Sequence, residues 1–374
     1  MASCFIFNPE NDIALASGLE RYTPPAHAAM LARAGAMLPL WYSGGASDVV
    51  LASCADYRWI DSVRRDFGIE AAVADVVSGE FECQPWGWSA YAAGLFRRAG
   101  VGAGCLPSVG QIEAMRLLSH RRTTADIYRA LSWDIEPPVE CFTAAGVDRQ
   151  LQAHHDGIFF KAPWSSTGRG VASSAKIPHA EVIRRCEGII RRQGSVMVEP
   201  ALDRLSDFAM LFYARHDGSV EWRGYSMFSS LRNAYTGNIL LPDSGIEANI
   251  ARQLTLPDRL TELRRRLPGI LSAVIDGKYA GWLGVDMMLY RHPDGSVRVA
   301  PCVEINLRMT MGVVAHIWRE RYLAPDVTAA MTVTYGGENG TSGLRPQIES
   351  RRLVRGSVSL IAPSADFRIT VTTL

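Results

Sequence analysis

Two stretches of alternating residues, each folded back at an Asp-Gly turn, constrain the fold of this 374-residue chain most strongly. In the first stretch, Asp207 to Arg215 and Val220 to Phe228 flank the residues HDGS. In the second, Trp282 to Arg291 and Val297 to Ile305 flank the residues HPDG. Gly-containing turns of this kind between alternating apolar segments are a strong short-range signal for antiparallel strands. The sequence therefore predicts two long β-hairpins.

The turn of the second hairpin also predicts a strand register. A three-residue hairpin loop is usually a type I turn followed by a left-handed residue, and the proline and glycine of HPDG suit those positions. His292 is then expected to face Ser296. Counting back along the ladder, we expect Asp286 opposite Cys302, with Glu304 two pairs further on, opposite Gly284.

This register predicts a magnesium site on the second hairpin. Side chains alternate between the two faces of a strand, so Asp286, Glu304, Asn306 and Arg308 are expected on one face. The diagonal between the two acids is then about 7–8 Å, which lets both carboxylates reach one hard cation. Magnesium prefers oxygen ligands and is usually shared with substrate phosphates. The alternative is a solvated strand face with an internal Glu–Arg pair.

The first hundred or so residues alternate short apolar runs with Ala-rich helical patterns. Such alternation predicts a small α/β layer with parallel strands, whose ligands usually lie beyond the carboxyl ends of the strands. The segments NPEND at 8–12 and QPWGWS at 84–89 are two candidate loops of this kind, although ordinary turn and cap chemistry also explains each residue singly. After Pro107, the pattern predicts a helix from Ile112 to Leu131.

The segment FFKAPWSSTGRGV at 159–171 predicts a phosphate-binding loop of an unusual kind. It has small residues and glycines, but its lysine, Lys161, precedes the loop, and the chain lacks the GxxxxGK[ST] motif of P-loop enzymes. The glycines at 100–104 resemble a dinucleotide fingerprint, but Pro107 follows where a helix should begin. Because the lysine precedes the loop, we expect a lid that closes over phosphates from above.

The composition narrows the class of partner. The chain has 39 Lys and Arg against 38 Asp and Glu, so no overall charge favours nucleic acid or an anionic membrane. The seven cysteines are scattered and never form CxxC, which predicts buried free thiols in a reducing cytoplasm and argues against a disulfide framework or structural zinc. No apolar segment is long enough to span a bilayer. A homo-oligomer is compatible with the sequence.

Four separated motifs, taken in this order, resemble the ATP-grasp superfamily. They are Lys161 with its loop, VMVEP at 196–200, GVDMML around Asp286 and VEINLR at 303–308, and the resemblance covers roughly residues 110 to 325. It implies an ATP-grasp fold, in which two α+β subdomains close on ATP, preceded by a small α/β parallel-sheet domain. The expected domains are 1–110, 111–345 with a lid subdomain at about 135–200, and 346–374 as C-terminal strands packing on the main body.

The resemblance implies a role for each matching residue. Lys161 would contact the ATP phosphates, Glu199 would lie beside adenine, and Arg308 would face the developing acyl phosphate. Arg121 stands near the position where the family usually has an earlier lysine, so phosphate geometry there departs from the pattern. The remaining nucleotide-binding residues would be Ser165, Ser166, Thr167, Gly168, Gly170, Ala201 and Asp207. The site would hold two magnesium ions, which manganese could replace. Their ligands would be Asp286, Glu304 and Asn306.

The function implied by the resemblance is an ATP-dependent carboxylate–amine or carboxylate–thiol ligase. A substrate carboxylate attacks the γ-phosphorus, and an amine or thiol then displaces phosphate from the acyl phosphate. Arg232, in the polar loop 232–238 between the hairpins, is the candidate clamp for the substrate carboxylate. Catalysis is then assigned to Arg308, Arg232 and Lys161. The alternatives are a phosphotransferase of the same fold and a non-catalytic nucleotide-binding module.

Overall fold

The computed structural model describes residues 1–165, 170–231, 234–335, 344–363 and 367–374. Its amino-terminal part is built on a sheet of four parallel strands in the order β3-β2-β1-β4. The strands are β1 (Ser3–Ile6), β2 (Val49–Leu51), β3 (Ala72–Ala74) and β4 (Glu82–Pro85). The accompanying helices are α1 (Asn11–Ser17), α2 (Ala26–Ala34), α3 (Tyr57–Phe67) and α4 (Ala90–Arg98). The predicted parallel α/β layer is confirmed.

Two helices follow where the sequence predicted one from Ile112 to Leu131. They are α5 (Val109–Leu118) and α6 (Arg122–Leu131), so the predicted single helix is wrong. Ser108 begins α5 with a capping box that includes Gln111. The chain leaves the helix at 119–121, where the backbone N–H of Arg121 donates to the carbonyl of Pro163 in another element at 3.2 Å. A tertiary hydrogen bond therefore interrupts a segment whose local pattern is helical.

A small antiparallel sheet in the order β5-β8-β6-β7 comes next. Its strands are β5 (Val139–Cys141), β6 (Ile158–Lys161), β7 (Val171–Ser173) and β8 (Val196–Pro200), and its helices are α7 (Ala144–Ala153) and α8 (His179–Gln193). It has a separate apolar core that includes Phe160, Val182 and Val198. The two strands that flank the Ser/Gly loop, β6 and β7, thus lie on a unit with its own packing.

The largest sheet has eight strands in the order β13-β12-β9-β10-β11-β14-β18-β17, and all neighbouring strands are antiparallel. The strands are β9 (Asp203–Ala214), β10 (Val220–Leu231), β11 (Ala234–Leu240), β12 (Gly281–Arg291), β13 (Val297–Asn306), β14 (Ala329–Tyr335), β17 (Ser357–Ser359) and β18 (Phe367–Thr373), with a separate pair β15 (Gln347–Glu349) and β16 (Arg352–Arg355). Both predicted hairpins, β9–β10 and β12–β13, are confirmed.

The helices of this region are α9 (Asp243–Ala251), α10 (Asp258–Ile275) and α11 (Met311–Tyr322). One apolar core joins α6 and α10 to the sheet, and another joins α11 to both the amino-terminal part and the last strands. Trp41, 1% exposed, donates from Nε1 to the carbonyl of Leu360 at 2.7 Å within the second of these cores. No helix in the described ranges is long and apolar enough to cross a membrane. The seven cysteines are free thiols, but Cys54 is exposed and Cys105 is partly exposed, so the prediction of buried thiols is wrong for these two.

Candidate active site

A cavity of about 360 Å³ is lined by strands β9, β10, β12 and β13, by the residues that follow β1 and β4, and by the start of α11. Most of the site residues predicted from sequence and described by the structure line it. They are Arg121, Lys161, Ser165, Asp207, Asp286, Glu304, Asn306 and Arg308. Residues from the two hairpins and from segments far apart in the chain thus converge on one space.

In the second hairpin, the strand register brings Asp286 and Glu304 closer together than the turn residues predicted. His292 does bond to Ser296 across the turn, with its N–H donating to the Ser296 carbonyl at 2.8 Å. An irregularity between Asp286 and Met288 then shifts the ladder, so Asp286 pairs with Glu304 and Gly284 with Asn306. The predicted pairing of Asp286 with Cys302 is wrong, because between the pairs Met288–Ala300 and Asp286–Glu304 β13 has two more residues than β12, and a uniform count along the strands does not include them. The two acids lie directly opposite, on the same face.

The environment of Asp286 opposes its ionisation. Burial, and then the charge of Glu304, raise the pKa of Asp286 to about 7, although the Asn306 amide donates to its Oδ2 at 3.0 Å. Two facing carboxylates and an amide oxygen are hard donors, and a divalent cation between them would remove the repulsion. The donor set therefore fits magnesium. Within the described residues no group of three or more His, Cys, Asp or Glu is arranged around a common point, so the fit depends on this two-acid, one-amide set.

Arg121 occupies the interruption between α5 and α6 and reaches the carboxylates. Its Nη2 donates to Glu304 Oε1 at 2.6 Å, and its Nη1 donates to the Ala162 carbonyl at 2.5 Å and to Ser165 Oγ at 2.8 Å. The side chain is only 7% exposed, and its Nε has no hydrogen-bond partner in the described part of the chain. A buried guanidinium N–H without an acceptor favours an anion at this position.

Lys161, the last residue of β6, is buried and forms an ion pair with Glu199 on the neighbouring β8 at 2.5 Å. Its Nζ also donates to the Val303 carbonyl at 3.4 Å, which brings β6 to the edge of β13. Glu199 does not line the cavity itself. The predicted lysine therefore reaches the site, whereas the adenine contact of Glu199 stays a prediction.

Two further predicted nucleotide-binding residues differ in their position. The amide of Ala201 donates to the Gly157 carbonyl at 3.0 Å, and this residue lies outside the cavity lining. Asp207 lines the cavity from β9, where it accepts from Ser230 Oγ at 3.1 Å and pairs with Arg204 at 3.0 Å. Burial raises the pKa of Asp207 despite these partners. Only Asp207 of the two has a side chain placed to contact a ligand in the cavity.

Several predicted residues lie outside the described ranges. They are Ser166, Thr167 and Gly168 of the lid loop and Arg232, the candidate carboxylate clamp. The ends of the lid loop are described: Ser165 accepts from Arg121, and Gly170 accepts from the amide of Ala162 at 2.7 Å with a φ of 77°. The left-handed conformation at Gly170 explains why glycine is suited to the point where the loop enters β7.

Asp12 is a site residue that the sequence did not assign. Its carboxylate accepts from Arg308 Nε at 2.9 Å and from Nη2 at 2.8 Å, in a two-pronged pair between side chains that are 17% and 16% exposed. Burial opposes the charge of Arg308, but Asp12 and the nearby carboxylates outweigh it and raise the arginine pKa. The available signal was the acidic residue in the first turn of α1, shortly after β1, but nothing local connected it to a partner 296 residues away.

A second contact joins the amino-terminal sheet to the residues around Arg308. The carbonyl of Trp86, directly after β4, accepts from the amide of Met309 at 2.8 Å. Asn8 Nδ2 donates to the Gly87 carbonyl at 2.9 Å, which ties the two strand-end loops to each other. The two loops predicted to carry ligand-binding residues therefore form one wall of the cavity beside Arg308.

Two solved structures are similar to this chain along almost its whole length. The biotin carboxylase of Campylobacter jejuni, in a β,γ-ATP complex, is 11% identical, with 100% of this chain and 88% of that chain covered and a TM-score of 0.53. The biotin carboxylase domain of the Hydrogenobacter thermophilus 2-oxoglutarate carboxylase, solved as a dimer with MgADP, ADP and bicarbonate, is 12% identical, with 99% and 86% covered and a TM-score of 0.50. No protein-family model and no curated protein matches the sequence. The predicted ATP-grasp fold is confirmed.

Proposed function

We propose that this chain, which has the ATP-grasp fold, is an ATP-dependent ligase that activates a carboxylic acid as its acyl phosphate. An amine, or alternatively a thiol, then takes the acyl group, and ADP and phosphate are released. The observation that carries the proposal is the convergence of Asp286, Glu304 and Arg308 in one cavity with the buried cations Arg121 and Lys161. Carboxylates that suit magnesium and cations that suit phosphate are the parts that phosphoryl transfer requires.

The charge of each side chain determines the role that we propose for it. Asp286, Glu304 and Asn306 would hold magnesium, which when bound supplies charge neutralisation for the phosphates. Lys161 and Arg121 would bind phosphate oxygens after exchanging their present partners, Glu199 and Glu304, for the nucleotide.

Arg308 provides the cation for the reacting acid. Its guanidinium is fixed by Asp12 through Nε and Nη2, and its Nη1 donates to its neighbour's carbonyl, that of Met309, at 3.2 Å. Of its five N–H donors, those not used by Asp12 and Met309 remain for the oxygens of the acid or of the acyl phosphate. The chain needs no side-chain nucleophile, because holding the acid in line with the γ-phosphate and stabilising charge suffice for this chemistry.

The test is mass spectrometry of purified protein incubated with Mg-ATP, a mixture of carboxylic acids and hydroxylamine, which converts acyl phosphates into hydroxamates. ADP together with a hydroxamate is expected. ADP with a stable phosphorylated metabolite and no hydroxamate would instead establish the phosphotransferase, and nucleotide binding without ADP would leave a binding module.

A variant pair assigns the activity to the carboxylates. Glu304→Gln is expected to lower ADP formation at least about 100-fold, because the site loses one of its two negative charges for magnesium and the glutamine cannot neutralise Arg121. Glu187→Gln, on the exposed face of α8, is the matched control and is expected to retain full activity. Equal activity of the folded Glu304→Gln protein and the control would remove Glu304 from the magnesium site.

A further inference from the structure

The cavity has two chemically different ends. Charged side chains gather where β12 and β13 form its floor, whereas the other end is lined by Phe7, Leu31, Trp86, Phe228 and Val333. The order of strands in the large sheet explains the separation, because β12 and β13 lie at one edge while β10, β11 and β14 continue the same sheet away from it. A molecule that spans the cavity therefore passes from a charged environment to an apolar one.

The apolar end is assembled from three parts of the chain. Phe7 and Trp86 follow β1 and β4, and their rings meet edge to face with centroids 5.0 Å apart. Leu31 comes from α2, and Phe228 and Val333 come from the large sheet. Phe7, Trp86 and Val333 are each less than 10% exposed and belong to the continuous apolar core. The wall is consequently held by packing on several sides.

The polar groups that β10 and β11 contribute near the apolar end are already used. The Tyr235 hydroxyl donates to Asn238 Oδ1, and Asn238 Nδ2 donates to Ser226 Oγ at 2.6 Å and to the Met227 carbonyl at 3.2 Å. Arg204 and Asp207, which also line the cavity, pair with each other at 3.0 Å. In the described lining, the apolar end thus offers no unpaired charge to a ligand, and burying a charged group there would be costly.

One donor stands at the boundary between the two ends. Ser226 is 3% exposed and lines the cavity, and its oxygen accepts from Asn238, but its hydroxyl hydrogen has no acceptor among the described residues. Arg308 lies at the same boundary, followed by Thr310, Met311 and Gly312 at the start of α11, which line the cavity too. Hydrogen-bond donors therefore surround the middle of the cavity, where an anionic head would meet them.

We infer that the acid substrate is a monocarboxylate whose carboxylate lies beside Arg308 and Ser226 and whose body is aromatic or otherwise apolar, bound against Phe7, Leu31, Trp86 and Phe228. This inference rests on the proposed ligase function for the fate of the carboxylate, whereas the apolar end by itself specifies the body. It distinguishes the substrate from bicarbonate-sized acids, which leave the apolar end empty, and from dicarboxylates, which place a second charge there.

The test compares an aromatic monocarboxylate with a dicarboxylate and a short acid by two measurements. In the hydroxamate assay, 3-phenylpropanoate is expected to have a KM at least about tenfold below that of succinate or acetate, since even one methylene in an apolar pocket changes specificity by about 10-fold or more. In calorimetry without nucleotide, binding of 3-phenylpropanoate is expected to show a negative heat-capacity change, the marker of apolar burial.

Variants locate the apolar body. Leu31→Lys is expected to weaken binding of 3-phenylpropanoate at least about tenfold and to improve that of glutarate, whose second carboxylate then finds a cation. Leu19→Lys, at a leucine that is 58% exposed, is the matched control and is expected to change neither. Phe228→Leu is a milder second variant, expected to raise the Kd for the aromatic acid several-fold while circular dichroism remains native.

The outcomes separate this inference from the proposed function. Succinate or acetate binding as tightly as 3-phenylpropanoate, or unchanged binding in both the Leu31 and the Phe228 variants, would overturn the apolar-acid site. The expected calorimetric pattern with no hydroxamate from any acid would support the site and overturn the ligase. Efficient hydroxamate formation from dicarboxylates alone would support the ligase and overturn the inferred substrate class.

Discussion

Replacing Asp286 by Asn should stabilise the metal-free protein while removing its magnesium affinity. In the folded chain, burial and the facing Glu304 raise the pKa of Asp286 from 3.8 to about 7. Between these two values the native state holds a proton that the unfolded state releases, so stability falls as the pH rises through this window. Above pH 7 the loss has reached its full size and no longer changes.

The size of the effect follows from the same pKa values. The rise of the Asp286 pKa from 3.8 to about 7 corresponds to about 4 kcal/mol, because one pKa unit is worth 1.36 kcal/mol. The side chain is partly exposed and solvent screens part of this cost, so roughly half of it, about 2 kcal/mol, is the expected gain of Asp286→Asn at pH 8. For a chain of this size, about 2 kcal/mol raises the melting temperature by roughly 2–3 °C.

The assay is thermal unfolding in EDTA at pH 4, 5, 6, 7 and 8, followed by magnesium titration at pH 8. The advantage of the variant should be small at pH 4, grow to pH 7 and then remain level, because the wild-type carboxyl is neutral in both states at low pH. Magnesium should raise the melting temperature of the wild type and not that of the variant. An advantage that is equal at pH 4 and pH 8, or a variant less stable than wild type at pH 8, would refute the assigned electrostatics.

Three further changes test the site and the residues around it. Asp12→Asn should lower kcat/KM for the acid about tenfold or more, since Arg308 loses its ionic partner; an unchanged value in steady-state kinetics would deny Asp12 a positioning role. Gly312→Ala should destabilise the chain by about 1–3 kcal/mol, because the added methyl would lie 2.5 Å from Ser226 Oγ, whereas Gly104→Ala, with no atom within 4 Å, should not; equal melting temperatures would contradict this packing. Glu10→Gln should reduce the loss of stability between pH 5 and pH 8, because burial raises the pKa of Glu10 to about 7; parallel pH profiles of variant and wild type would count against it.

The sequence was sufficient for those features that depend on neighbouring residues. The Asp-Gly turns and the alternation around them predicted both hairpins, and the pairing of His292 with Ser296 at the second turn is present. The alternating helices and strands of the first hundred residues predicted the parallel sheet. Chirality, side-chain alternation and turn preferences act over a few residues, so the local sequence is enough to predict the features that depend on them.

Tertiary structure decided the features in which distant groups act on the backbone or on each other. The irregularity after Asp286 moved Glu304 into direct opposition, and the bond from Arg121 to Pro163 divided a segment that reads locally as one helix. The pair between Asp12 and Arg308 joins residues that are 296 positions apart in the chain. Each of these depends on burial and on a partner supplied by another element, and neither quantity is a function of the local sequence.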